Sequence, residues 1–470
     1  MMLPMRSMGL VSSRPTGLHD GRLAARSAAQ RFFVPMSSSP AETPRPRRYR
    51  VADSAGYILV VAIVGLWTWR ALHDHDPYDT GLAWQAGRLG WATGHPEHLG
   101  TWNGAPLLAA AMAILSRLWS AEHTADIVTI VSLGLTIAAV VMTMGRLRDA
   151  MRPLLWWVAT LGLVSYVPLM SSVWWKQFNV IALTLAAAGF ALARQNRSAA
   201  GGLALGLSLS IKPMAFMVPL VMLLRRETRR AGLIAISWVI GLNVLAQALF
   251  AQRAHNLATL NPTIGLSNLL HKTTAAGNVF LCASVNFSPT ATFCRLNGGF
   301  AHWTLQRVCV TGLILLFGLF AVAALRGRSA RSWEVFAFAC PFSIMLSALS
   351  WAHYQVMLAP LFLLLFYRFT TEGARLGEWV GLIAAFTLAS LMWMPYGTLW
   401  SELGGSSSTS GDGATTFIEQ YSALAQYIVV ITGIVWYARH PAIDQPSRDL
   451  TGVGKNRNVD IAPATPKSAI

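Results

Sequence analysis

The sequence predicts an all-α polytopic membrane protein, and three observations carry that prediction. Of 470 residues, 54% are hydrophobic and only 12% charged, about half the charged share of a soluble chain. Apolar runs nearly free of charge recur along most of the length, each close to the ~20 residues an α-helix needs to cross a bilayer. The net charge of +17 gathers mostly in the tails and between the runs, as Lys and Arg of cytoplasmic loops do, so it need not mark a nucleic-acid surface. Together these exclude an ordinary soluble enzyme, and no nucleic-acid partner is expected.

Residues 1–53 hold nine Arg among Ser, Pro, Gly and Ala and read as a disordered basic cytoplasmic tail with no signal-peptide pattern. Residues 54–438 form the transmembrane domain, and 439–470 a second disordered cytoplasmic tail. The first span, 54–72, is an uncleaved signal anchor oriented by the Arg cluster upstream. Further apolar runs lie at 126–145, 153–170, 178–193, 201–224, 231–250, 304–325, 333–350, 355–369, 378–396 and 421–438. A weaker run, 105–119, is expected to lie in or dip into the outer leaflet.

If every run crossed once, basic loops would fall on both sides, against the charge rule. Reading 201–224 as a re-entrant hairpin repairs this. Lys212-Pro213 sits at its middle, where Pro removes a backbone donor and disfavours helix at the residue before it. Arms of about eleven residues would rise only ~16 Å. A Pro-kinked spanning helix is the competing reading. About ten spans then remain, both termini are cytoplasmic, and 28 of the 37 Lys and Arg fall inside. Lys212 lies near the middle of its apolar run and Arg307 near the start of 304–325, while Arg70, Arg117 and Arg368 fall in the last turn of theirs.

The outer face collects loops 73–125, 251–303 and 397–420 with short turns at 171–177 and 350–354, so function is expected to face outward. Cys282 and Cys294 share the second long loop, where an oxidising compartment permits a disulfide. Cys309 and Cys340 fall in spans as packing residues.

Several clusters carry chemistry. Asp74, His75, Asp76 and Asp79 follow the first span and suit a general base or a hard-metal site, while a solvated acidic collar has the same composition. Beyond Asp79, Leu82, Trp84, Leu89 and Trp91 are spaced as an amphipathic interfacial helix. Trp174, Trp175, Lys176, Gln177 and Asn179 suit a sugar face with hydroxyls or a phosphate, although an aromatic belt with a snorkelling Lys looks alike.

Lys212 is the sharpest single feature. A cation at membrane depth is costly unless paired or wetted, and no acidic residue in an apolar run stands out as its partner. An anion such as a lipid phosphate is favoured over an interhelical ion pair. His353 and Tyr354 lie where a span emerges. Asn268 and Asn278 sit in the largest loop, which is polar enough for acceptor binding. No Walker loop, dinucleotide fingerprint or Cys-paired zinc spacing occurs.

The stretch from Lys176-Gln177-Phe178-Asn179 through Gly201-Gly202-Leu203-Ala204-Leu205-Gly206 and Ile211-Lys212-Pro213 to Arg225-Arg226 resembles the central region of glycosyltransferase family 87. Asp79 followed by Trp84 and Ala86 is similar to that family's first-loop aspartate motif. Ser350-Trp351-Ala352-His353-Tyr354 is similar to its late Ser-Trp-x-His-Tyr segment, and Ser267-Asn268 with Gly277-Asn278 resembles its arabinosyltransferase branch. Two departures stand out: Trp102-Asn103-Gly104-Ala105-Pro106 where the family usually has Tyr-Pro-Pro, and Lys176-Gln177 for its usual Gly-Gln.

The resemblance implies a GT-C-like helical bundle, with interfacial helices in the first outer loop, in the plasma membrane and working at its extracytoplasmic face. It implies a polyprenyl-phosphate sugar donor, mannosyl (hexosyl) or arabinofuranosyl, and a cell-envelope glycan or glycolipid acceptor. Asp79 would deprotonate the acceptor hydroxyl, which displaces polyprenyl phosphate with inversion. A nearby cation, Lys212, Lys176 or His353, would stabilise the leaving phosphate. No cofactor is required by this chemistry, and the first loop leaves room for a divalent metal at Asp74, His75 and Asp76. The alternative function is a transporter or lipid-linked sugar flippase that uses Lys212 while Asp79 is dispensable.

Overall fold

Each element of the computed structural model follows from the apolar runs and the prolines that interrupt them. The structure describes residues 47–73, 77–96, 99, 105–148, 151–253, 288–296, 303–326, 333–347, 350, 352–391 and 423–441. Every regular element among them is helical. The chain is an all-α polytopic membrane protein. It divides into two units, Met1–Tyr57 and Ile58–Ile470, and the helical bundle belongs to the second.

Helix α1 (Arg47–His73) carries the first span. Next come α2 (Tyr78–Thr93) and α3 (Pro106–Leu115). At ~1.5 Å per residue, α3 is about 15 Å long and too short to cross, in line with a run that only dips into one leaflet. Gly87 of α2 lies so close to α3 that a Cβ there would meet the Ala113 nitrogen at 2.5 Å and the Ala109 oxygen at 2.7 Å. The chain continues through α4 (Ala121–Leu147), α5 (Pro153–Val164) and α6 (Val167–Trp174). The predicted span 153–170 is broken at Ser165-Tyr166, because Pro168 near the start of α6 cannot continue the hydrogen-bond ladder of α5.

Helix α7 (Asn179–Arg194) leads to α8 (Ser198–Ile211), a 3-10 turn at Pro213–Ala215, α9 (Met217–Leu223) and α10 (Arg229–Arg253). Glycine contacts show the direction of each. A Cβ on Gly202 would meet Ile234 and the Ala231 oxygen, and one on Gly206 would meet Trp238 and the Ala235 oxygen. Both sets advance by one turn together, so α8 and α10 run parallel. Gly232 of α10 faces Pro219 and Leu223 of α9, so α9 has already returned to the level of Gly202. The chain therefore reverses at Lys212-Pro213, and residues 198 and 229 begin at the same end of the bundle.

The remaining helices are α11 (Pro289–Leu296), α12 (Trp303–Ala324), α13 (Trp333–Leu346), α14 (Ala359–Glu372, preceded by a 3-10 segment Ala352–Leu358), α15 (Leu376–Leu391) and α16 (Leu424–Arg439). Six segments are long and apolar enough to cross a bilayer: Ser54–His73, Ala121–Gly145, Pro153–Trp174, Arg229–Gln252, Leu305–Ala324 and His353–Glu372. The other four predicted spans correspond to α7, α13, α15 and α16, apolar helices of 14 to 16 residues. Outward apolar side chains such as Val141, Leu245 and Leu319 stay exposed, as lipid-facing residues do.

Polar residues tie the helix ends together. At one end Arg368 pairs with Glu334 and Glu372, Arg439 pairs with Glu378, and Arg194 lies 5.0 Å over the Trp333 ring. At the other, Arg307 donates to the Leu346 carbonyl (2.8 Å) and the Thr290 hydroxyl (3.3 Å), so this cation within an apolar run is satisfied by neutral acceptors. Cys294 on α11 is disulfide-bonded, while Cys282 lies outside the described residues. Cys340 is buried and free, and Cys309 is exposed and free on α12.

Candidate functional site

The site forms at the end of the bundle where the α8–α9 hairpin has its tip. Lys212 is extended (φ −150°, ψ 117°), the conformation a residue before proline is pressed into. Its backbone nitrogen still donates to the Ser208 carbonyl (3.0 Å), but its side chain leaves the helix axis. The ammonium donates to Gln177 Oε1 at 2.5 Å, lies 3.7 Å from Asp79 Oδ2, and sits 4.7 Å from the centre of the Tyr354 ring. A carboxylate, an amide oxygen and an aromatic face thus compensate a nearly buried charge.

Asp79 reaches this point from the first turn of α2, where the helix dipole favours an anion. Its side chain is 39% exposed, against 14% for Lys212. Gly90 of the same helix lies against Phe250, at the far end of α10, which puts α2 beside the hairpin tip.

Lys176 and Gln177 come from the end of α6. The Gln177 nitrogen donates to the Ser172 carbonyl (2.9 Å) and the Lys176 nitrogen to that of Val173 (3.1 Å). These are the two bonds of a Schellman motif, which places its C′ residue in the left-handed region and usually fills it with glycine. Here C′ is Lys176, with φ 51°, a conformation that costs a side-chain-bearing residue about 1–3 kcal/mol. The sequence departure at Lys176-Gln177 therefore falls on a backbone position that favours glycine.

The Lys176 ammonium is fully buried and donates to Asp126 Oδ1 of α4 at 3.2 Å, while the Asp126 side chain is 44% exposed. Its carbonyl accepts the hydroxyl of Thr80, the residue after Asp79, at 2.5 Å. Asn179, at the start of α7, donates to the Ser172 hydroxyl (3.3 Å) and the His353 carbonyl (3.2 Å). His353 and Tyr354 lie in the 3-10 segment before α14, their rings edge to face at 4.9 Å.

Six of the predicted site residues besides Asp79, namely Lys176, Gln177, Asn179, Lys212, His353 and Tyr354, belong to this one network. Asn268, Asn278, Asp74, His75 and Asp76 lie outside the described residues. Asp126 and Thr80 are members that the sequence pattern does not single out. Asp126 carries a faint signal, an acid at the first residue of an apolar run, whereas Thr80 has none. Nor does the sequence point to Asp79 as the partner of Lys212. Among the described residues no group of three His, Cys, Asp or Glu could hold a metal.

Three buried polar atoms here have no hydrogen-bond partner: Gln177 Nε2, Asn179 Oδ1 and His353 Nε2. Buried polar groups are rarely left this way. Donors and acceptors gathered around one ammonium and one partly exposed carboxylate suit a ligand that carries both an anionic group and hydroxyls.

No curated protein and no solved structure matches the chain. The model of glycosyltransferase family 87 matches residues 102–350. That stretch contains Lys176, Gln177, Asn179, Lys212 and both arms of the hairpin; Asp79, His353 and Tyr354 lie beyond its two ends and are brought to Lys212 by the fold. Because the match takes in just over half of the residues, the chain belongs to glycosyltransferase family 87 and is a membrane glycosyltransferase.

Proposed function

We propose that the chain moves a mannosyl (hexosyl) or arabinofuranosyl group from a polyprenyl-phosphate donor to a hydroxyl of a cell-envelope glycan or glycolipid, at the extracytoplasmic face of the plasma membrane. The observation that supports this most directly is the Asp79–Lys212 pair at 3.7 Å, a proton acceptor and a cation held side by side next to unpartnered polar atoms.

The donor phosphate takes the place of the Asp79 carboxylate on the Lys212 ammonium and accepts from Gln177 Nε2. The Asp79 carboxylate is then free to receive the acceptor's proton. The acceptor oxygen bonds to the anomeric carbon as the bond from that carbon to the phosphate oxygen breaks. The electron pair leaves with polyprenyl phosphate, whose charge Lys212 neutralises. A single displacement inverts the anomeric centre. Asn179 Oδ1 and His353 Nε2 orient sugar hydroxyls, and Asn268 and Asn278 contribute to the acceptor side.

Two features favour an outward-facing site. The opposite end of the bundle carries Arg194, Arg197, Arg225, Arg226, Arg229 and Arg230, as a cytoplasmic face does. The disulfide-bonded Cys294 belongs to α11, whose Thr290 bonds Arg307 at the site end, and disulfides persist in oxidising compartments.

Incubating purified protein with radiolabelled polyprenyl-phosphate mannose and polyprenyl-phosphate arabinose in parallel tests the reading. One label is expected to reach a glycan or glycolipid, and Asp79→Asn to abolish that transfer at normal protein level and insertion. Full transfer by the Asp79→Asn protein would remove the base assignment and favour a transporter.

A further inference from the structure

We infer that Lys176 is a positioning residue and not a ligand of the donor phosphate: its ion pair with Asp126 and the left-handed turn it occupies set the spacing of Asp79 and Lys212. This rests on the proposed transferase activity and assigns separate tasks to two lysines of the same site.

With φ 51° at Lys176, glycine would meet the turn without strain, and Asn or Asp would meet it more easily than Lys. A lysine there is useful only through what its side chain does. That side chain is completely buried, and its ammonium is bonded to Asp126 at 3.2 Å. A cation enclosed in this way is poorly placed for a phosphate that must arrive and leave at every turnover. Lys212 keeps 14% of its side chain exposed and its carboxylate partner stands farther off, at 3.7 Å, so it is the better placed of the two.

The turn also holds both members of the reacting pair. The Lys176 carbonyl fixes the Thr80 hydroxyl (2.5 Å), one residue from Asp79. The next residue, Gln177, holds the Lys212 ammonium (2.5 Å). One dipeptide at the end of α6 thus touches α2 through its first residue and the hairpin tip through its second. Asp126 ties that dipeptide to α4 as a third support. Shifting the turn moves carboxylate and ammonium relative to each other, and misplacing reacting groups by ~1 Å can cost about 100-fold in rate.

The test uses full-length enzyme with Lys176→Gly, which keeps the left-handed turn, Asp126→Asn, and the exchanged pair Lys176→Asp with Asp126→Lys. Each single variant is expected to lower kcat about 10- to 100-fold while the donor KM moves less than about threefold. The exchanged pair should recover at least about tenfold of that loss, since Asp tolerates the left-handed conformation and the ion pair is restored. A donor KM raised about tenfold with kcat unchanged would make Lys176 a donor ligand and overturn the inference, as would unchanged kinetics.

A second measurement needs no turnover: the rate at which an amine-reactive reagent labels Lys212, read by mass spectrometry of the folded protein. Labelling several-fold faster in both single variants than in the parent supports the positioning role, and equal rates overturn it. If the parent transfers neither sugar while Lys212 labelling still rises in the variants, the transferase reading fails and the positioning of Lys212 stands.

Discussion

Lys176 and Lys212 are identical side chains in opposite circumstances. One is enclosed and neutralised by a half-exposed carboxylate; the other is neutralised by the carboxylate assigned to proton transfer. Removing each partner therefore has a different consequence. Asp79→Asn leaves an amide oxygen for Lys212, so the protein should fold and insert while transfer is lost, a fall in kcat of at least about 10²–10⁴, the range for loss of a general base. Lys212→Met keeps the aliphatic bulk and removes the charge. We expect a weaker donor KM together with a kcat lower by about 10²–10³, because the charge acts on bound donor and on the leaving phosphate. Steady-state kinetics over a donor series measures both, and a Lys212→Met enzyme with parental kcat would place the leaving phosphate elsewhere.

At the level of elements, the glycines of the hairpin determine how close the helices come. A Cβ on Gly201 would meet the Gly189 oxygen at 2.7 Å and the Ala193 nitrogen at 2.8 Å, and one on Gly202 would meet Ile234 at 2.5 Å. The first neighbours are backbone and cannot rotate aside. Gly201→Val is expected to destabilise the protein by about 1–3 kcal/mol through overpacking, seen as a lower thermal midpoint in detergent, and to reduce activity by displacing the Lys212 tip. Gly87→Val should act on α2 in the same way, since its Cβ would strike the backbone of α3 at Ala113 and Ala109. Gly241, which has nothing within 4 Å of an added Cβ, supplies the control: Gly241→Ala should leave both stability and transfer near parental values. Equal loss at Gly241 and Gly201 would contradict the close-packing account.

For the molecule as a whole, the reversal at Lys212 makes a topological prediction. Cysteines introduced at Asn196 and Glu227, with Cys309 and Cys340 replaced, should react with a membrane-impermeant thiol reagent from one and the same side, and a cysteine at Arg88 from the other. Labelling of positions 196 and 227 from opposite sides would make 201–224 a crossing helix. The same scan reports orientation, with the Arg88 position expected outside.

Much of this architecture is legible in the sequence because lipid imposes it residue by residue. Apolar runs, the Pro after Lys212 and the Arg clusters each report a local cost, and these suffice for an all-helical membrane protein with a suspected hairpin. Span lengths are less legible. Pro168 divides one expected span into α5 and α6, which together still form a segment long enough to cross, and α7, α13, α15 and α16 are shorter than a bilayer crossing needs by length alone. Most members of the network around Lys212 are legible one by one, since cations and clustered amides are conspicuous in an apolar chain. Their partners are not. Asp79 and Lys212 are far apart in the chain, and so are Asp126 and Lys176; which carboxylate meets which ammonium depends on how α2 and α4 pack beside the hairpin and the end of α6. Composition and periodicity determined that Lys212 would need compensation at membrane depth, and placed Lys176 in a polar and aromatic turn at the outer face. Only the tertiary structure decided which lysine is sealed and which stays open, because ion pairing depends on through-space distance and burial, and those arise from helix packing rather than from position along the chain.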